Sequence, residues 1–106
     1  MINESKIAEI VNKITRNYDP DKIILFGSYA KGNATEDSDL DFIIIKKTNL
    51  PKHKRGREVR RFLLGLMVPM DFKIYTPKEF EYEMNSKFSF LSSVIKNSKV
   101  IYERIN

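Results

Sequence analysis

Hydrophobic and polar positions divide the chain into short, well-punctuated segments. Over residues 4–18, Ile7, Ile10, Val11, Ile14 and Tyr18 recur at helical spacing with polar residues between them, which predicts an amphipathic helix. Asn3 stands where an N-cap belongs. Asp19-Pro20-Asp21 ends the segment, because proline cannot continue the helical hydrogen-bond ladder. Ile23 to Phe26 is a short apolar run, β-branched at its start, and reads as a buried strand. Gly27-Ser28 closes it, and Tyr29 to Lys31 suggests one helical turn stopped by Gly32. After the polar loop Asn33–Ser38 comes a second strand, Asp39–Ile45, acidic and alternating at first and wholly apolar at its end.

Lys46 to Gly56 reads as a basic loop containing Pro51, and Arg57 to Met67 as a helix with Val59, Phe62, Leu63 and Leu66 on one face. In the third strand, Val68–Tyr75, alternation puts Met70, Phe72 and Ile74 on one side and Asp71, Lys73 and Tyr75 on the other. Thr76-Pro77 opens a helix with Thr76 as cap and proline at the first position; it extends to about Asn85. A last helix is expected over Phe88–Asn97, its apolar face mostly core, with any surplus free to form an oligomer or partner interface. Val100-Ile101-Tyr102 closes the chain as a short strand. No repeat or linker interrupts the pattern, so residues 1–106 read as a single domain.

Composition narrows the chemistry. Of 106 residues none is cysteine and only His53 is histidine, which excludes disulfides, thiolate ligands and a zinc site built on several histidines. The N-terminal segment mixes charges with apolar residues and resembles neither a signal peptide nor a membrane span; a cytoplasmic, membrane-free protein is the expectation. The net charge of +5 favours polyanionic partners without choosing among nucleotide, nucleic acid and acidic protein. Much of it lies in Lys46–Arg61, either a solvated surface or a docking site for an acidic protein or RNA.

Three features carry candidate chemistry. Gly27-Ser28 follows a buried strand; glycine lets a ligand approach the backbone, and amides at such a turn bind phosphate oxygens. Alone, it is an ordinary turn. Asp39-Leu40-Asp41 places two carboxylates on one strand face, where they repel unless cations are near; alone, it is a solvated strand end. Asp71, in an apolar stretch, is either an edge-strand charge or, if the second and third strands pair, a third carboxylate beside the other two. Three carboxylates beside a phosphate-binding turn make a two-metal phosphoryl-transfer site. Neither a P-loop lysine motif nor a dinucleotide fingerprint occurs. Ser28-x-x-Lys31 matches one penicillin-binding motif, but the others are absent.

Gly27-Ser28, ten residues, then Asp39-Leu40-Asp41 resembles the G-S-x₁₀-D-x-D signature of the polymerase-beta nucleotidyltransferase superfamily. The fuller run from Gly27 to Gly32 with Asp37–Asp41, together with Thr76–Phe80 and Val100–Glu103, is similar to its minimal nucleotidyltransferase (MNT) branch. The resemblance covers nearly the whole chain. Together with the element pattern it implies an α+β fold, a two-layer α/β arrangement with a mixed sheet of about four strands flanked by helices. It also implies a transferase moving a nucleoside monophosphate from an NTP, with ATP expected. Two Mg²⁺ ions would be held by Asp39, Asp41 and Asp71, and Gly27 and Ser28 would hold the phosphates. Lys31 and Lys73 are further nucleotide-binding candidates, Lys73 equally a partner for a carboxylate. Short stand-alone relatives resemble antitoxins of HEPN–MNT pairs, which implies AMP transfer to a HEPN-type toxin protein. The alternatives are a non-catalytic module that masks its partner, and transfer to a small molecule or RNA. Two positions depart from many relatives: Tyr29 replaces an arginine, and Lys31, often arginine elsewhere, lacks the bidentate fork.

Overall fold

The computed structural model describes residues 1–105. Helix α1 spans Glu4–Tyr18 and strand β1 Lys22–Phe26; the short helix α2 is Ser28–Lys31 and strand β2 Leu40–Ile45. Helix α3, Lys52–Arg60, runs into a 3-10 turn at Arg61–Leu63 before strand β3, Met70–Tyr75. Helices α4, Pro77–Met84, and α5, Phe90–Val94, lead through a second 3-10 turn to strand β4, Lys99–Glu103. The strands form one mixed sheet in the order β3-β2-β1-β4. β1 is antiparallel to both neighbours, while β2 and β3 run parallel. This is the α+β class with a four-stranded mixed sheet that the pattern implies.

Alternation along the strands sends side chains to two apolar layers. Ile23, Leu25, Leu40, Phe42, Ile44 and Ile74 pack with Ile10, Ile14 and Tyr18 of α1 and with Val59 and Leu63. Ile24, Phe26, Ile43, Ile45 and Tyr75 pack on the other face with Leu91 and the partly buried Phe80 and Met84. Phe42 and Phe72 are cross-strand partners in β2 and β3, and their rings stack 5.6 Å apart at 13°. That pair helps hold the register of the two strands, since a one-residue slip would turn both rings to the wrong face. The connection from β3 to β4 must pass β2 and β1, and α4 and α5 do so across the second face.

Several caps stand where the sequence puts them. Asn3 Oδ1 accepts from the Lys6 amide at 2.8 Å. Thr76 and Glu79 form a reciprocal capping box with Pro77 in the first turn. The helix expected over Arg57–Met67 is displaced: α3 starts at Lys52, within the expected loop, and helical structure ends at Leu63. The cause is Arg55, which is 5% exposed. Its guanidinium donates to the carbonyls of Leu50 (2.8 Å) and Ile74 (3.1 Å) and to both Glu79 oxygens (2.6 and 3.1 Å). These bonds draw the basic segment onto the sheet. Beyond Leu63, Gly65 at φ 89° breaks the helical path, and Met67 is 95% exposed. The last helix likewise begins at Phe90, not Phe88, because Ser89 caps it by accepting from the Ser92 amide. Among the described residues no helix is long and apolar enough to cross a membrane.

Candidate active site

The candidate site is built on one row across the sheet. Phe26 of β1 pairs with Asp41 of β2, and Asp41 pairs with Asp71 of β3. Directly paired residues share a face, so both carboxylates point from the face that carries Ile43 and Tyr75, neighbouring strands being about 4.8 Å apart. The next row is Ile24, Ile43 and Lys73. Asp39 precedes β2 by one residue and is exposed, just outside the strand expected to begin with it.

Gly27 follows Phe26 at φ 74°, a conformation glycine adopts at little cost. A Cβ built there would collide with Asp41 Oδ2. The turn therefore brings bare backbone against the carboxylate, as a site for close approach requires. Ser28 opens α2, and the Ala30 and Lys31 amides both donate to the Gly27 carbonyl at 3.1 Å. The amides of Ser28 and Tyr29 stand ahead of those first intrahelical bonds. Gly32 ends α2 in the left-handed region. Lys31 is exposed at the end of this turn and has no ion-pair partner among the described residues. Tyr29 faces away: its hydroxyl accepts from the Ile2 amide at 3.0 Å and its ring packs on the α1 side of the sheet. At this position the chain has an anchor for its N-terminus.

Electrostatics favour a cation. Burial pushes the Asp41 carboxyl above the ordinary aspartate range; the charges of Asp71 and Asp39 push it further, and Lys73 draws it partly back. Lys73 Nζ lies 3.5 Å from Asp71 Oδ2, both side chains being nearly half exposed. Three carboxylates thus face one ammonium. Among the described residues, no three acidic or histidine side chains already converge as a metal cage. The donor set nevertheless fits Mg²⁺, which prefers hard oxygens and keeps water and substrate phosphates as its remaining ligands. Clefts of about 290 to 450 Å³ indent the surface elsewhere, and none of these is lined by Asp39, Asp41 or Asp71. Asp39 is exposed and the Asp71 side chain nearly half so, which leaves the carboxylates on an open shelf.

Phe90, which the helical pattern places mostly in core or in a surplus interface face, has its ring beside this row. It meets Phe26 edge-to-face at 5.7 Å, and Lys73 Nζ lies 5.7 Å from its centroid. Nothing in the spacing signals this, because it depends on how the β3–β4 connection crosses the sheet. Of the basic segment, Lys46, Lys52, Arg55 and Arg60 serve the fold. Lys46 Nζ donates to the Tyr18 carbonyl, Lys52 lies over the Tyr75 ring and Arg60 over Phe72.

Comparison with known proteins places the chain in a family. The model of the nucleotidyltransferase domain family matches residues 5–102. Two proteins of Methanocaldococcus jannaschii, provisionally named protein adenylyltransferases, are 33% and 31% identical to this chain. The first alignment covers 96% of this chain and all of the relative; the second covers 92% and 70%. A solved structure from Sulfolobus solfataricus, provisionally titled a nucleotidyltransferase, superposes with a TM-score of 0.64 at 21% identity, over 92% of this chain and 78% of that one; it bears on the fold alone. With the family model spanning nearly the full length and the paired aspartates beside the glycine turn, the chain belongs to the nucleotidyltransferase family, in its minimal branch, and is a transferase of nucleotidyl groups.

Proposed function

We propose that the chain transfers AMP from ATP to a hydroxyl of a partner protein, with Mg²⁺ held by Asp39, Asp41 and Asp71, and that residues 1–106 work as one catalytic domain. The observation that carries this reading is the pairing of Asp41 with Asp71 beside the close-approach turn at Gly27. When bound, Mg²⁺ supplies neutralisation of the triphosphate and acidification of the attacking hydroxyl.

The chain's own residues do the rest. Gly27 leaves room for phosphate oxygens, and the amides of Ser28 and Tyr29 with the Ser28 hydroxyl donate to them. Lys31, one turn further on, adds positive charge for the departing pyrophosphate. The acceptor oxygen attacks the α-phosphorus, the bond to the α,β-bridging oxygen breaks, and pyrophosphate leaves with the bonding pair. The acceptor proton passes to the Asp71 carboxylate. Lys73, paired with Asp71 in the free protein, can exchange that partner for the α-phosphate.

A protein acceptor is supported by the names of the M. jannaschii relatives and by the open shelf, which a macromolecule would wall off from water. The resemblance to HEPN–MNT antitoxins makes a HEPN-type toxin, and a tyrosine on it, the acceptor of choice. The test is incubation of the purified chain with ATP, Mg²⁺ and such a partner, followed by intact mass spectrometry. Gain of AMP units on the partner, lost in Asp41→Asn, is the expected result. A stable complex with no mass gain would make the chain a masking module. Gain on RNA or a small acceptor alone would move the substrate class.

A further inference from the structure

One aromatic side chain beside the carboxylate row, Phe90, has no role in the reaction as described. Phe88 is 97% exposed and Phe90 41% exposed. They flank Ser89, whose hydroxyl is fixed on both sides: it donates to the Glu83 carbonyl at 2.6 Å and accepts from the Ser92 amide at 3.1 Å. Phe90 is therefore the first residue of a capped helix. Phe90 touches Phe26 of β1 and Lys73 of β3. Those strands lie on opposite sides of β2, so a ring that reaches both must lie over β2. The β2 residues at that level are Asp41 and Ile43, the partners of Phe26 and Lys73. Phe90 thus overhangs the strand that carries Asp41, with much of its ring in solvent.

Exposing two phenylalanines costs solubility, and a core does not require it. Here Phe90 borders a site for a ligand with a planar π-system at one end and a polyanion at the other. Phe26 is directly followed by Gly27, so the ring contact and the phosphate-binding turn lie on consecutive residues. We propose that Phe90 is the stacking platform for the nucleobase of the bound nucleotide. This rests on the nucleotide reading above and adds to it the residue that holds the base. Stacking needs only a π-face and tolerates different bases, so the platform explains nucleoside affinity without demanding adenine over guanine. The Lys73 ammonium, held near the same ring in the free protein, would stay beside the ribose-phosphate junction.

Titration calorimetry in Mg²⁺ with two probes, ATP and inorganic tripolyphosphate, isolates the base, since the second probe has none. Phe90→Leu keeps an apolar side chain against Phe26, and Phe90→Trp enlarges the π-face. The expected result for Phe90→Leu is ATP binding weakened about tenfold, tripolyphosphate binding changed less than twofold, and ATP binding restored by Phe90→Trp. Retained tripolyphosphate affinity also reports that the variant is folded. ATP affinity within twofold of wild type in Phe90→Leu overturns the platform and leaves the nucleotide reading standing; so does equal weakening of both probes. Wild-type protein that binds neither probe overturns both.

Discussion

At the level of single residues the site depends on how Gly27 and Asp41 share one small space. Replacing Gly27 by alanine strains a backbone at φ 74° and drives a methyl group into the Asp41 carboxylate. The expected loss is about 2 kcal/mol of stability together with most of the transferase activity; urea unfolding and label transfer check the two separately. Asp41 itself is a cost to the metal-free fold. Its carboxyl is raised by burial, by Asp71 and by Asp39, so its ionised form is disfavoured in the native state relative to the unfolded chain. The sign follows: the wild type regains stability as pH falls through the raised native value towards the ordinary one. In EDTA at pH 7, Asp41→Asn should melt above the wild type, and the gap should close on acidification. A lower melting temperature for the variant at pH 7 would show that the carboxylate is satisfied by groups other than a cation.

These residues were legible before any fold was known because the chemistry fixes their spacing along the chain. A glycine turn and two carboxylates two residues apart need no long-range information. Asp71 was legible only conditionally, since its place beside Asp41 depends on β2 and β3 pairing in parallel and in one register. Phe90 was not legible at all, as helical periodicity cannot tell a ring that covers the core from one that overhangs a site.

Among the elements, the junction of α3, β3 and α4 is the part that pattern reading displaced. Hydrophobic periodicity saw Val59 and Leu63 and centred a helix on them. It treated Arg55 as one more surface charge, although that side chain is buried among backbone carbonyls and Glu79. Capping chemistry, being local, was read correctly at Asn3 and Thr76. The Arg55–Glu79 pair makes its own prediction. The guanidinium of Arg55 holds the Glu79 carboxyl down to about 2, chiefly by its hydrogen bonds. A depressed carboxyl contributes stability that is present above the unfolded-state value near 4.5 and is lost as pH falls through about 2. Glu79→Gln should therefore be less stable than wild type at pH 7, with the difference vanishing between those limits. Arg55→Met removes the donors to Leu50 and Ile74 as well, and should cost about 3 kcal/mol at pH 7, checked by chemical denaturation.

Over the whole molecule, the topology explains why the chemistry is placed at one end of one face. β1 delivers the glycine turn, the β1–β2 and β2–β3 pairings line up the carboxylates, and the crossing from β3 to β4 brings α5 beside them. The opposite face is closed by α1 and α3 around a core that runs up to Leu40, directly beneath the carboxylates, and to Ala30 of α2. The +5 net charge is partly spent on the fold, through Arg55, Arg60, Lys46 and Lys52, so composition overstated what remains for partners. This arrangement moves the α-phosphoryl group together with its nucleoside. Parallel incubations with α-labelled and γ-labelled ATP, Mg²⁺ and the acceptor protein test it most directly. The expected result is α-label and no γ-label on the acceptor, abolished by EDTA and reduced roughly a thousandfold or more in Asp41→Asn. Transfer of γ-label, or undiminished α-labelling by Asp41→Asn, would contradict it.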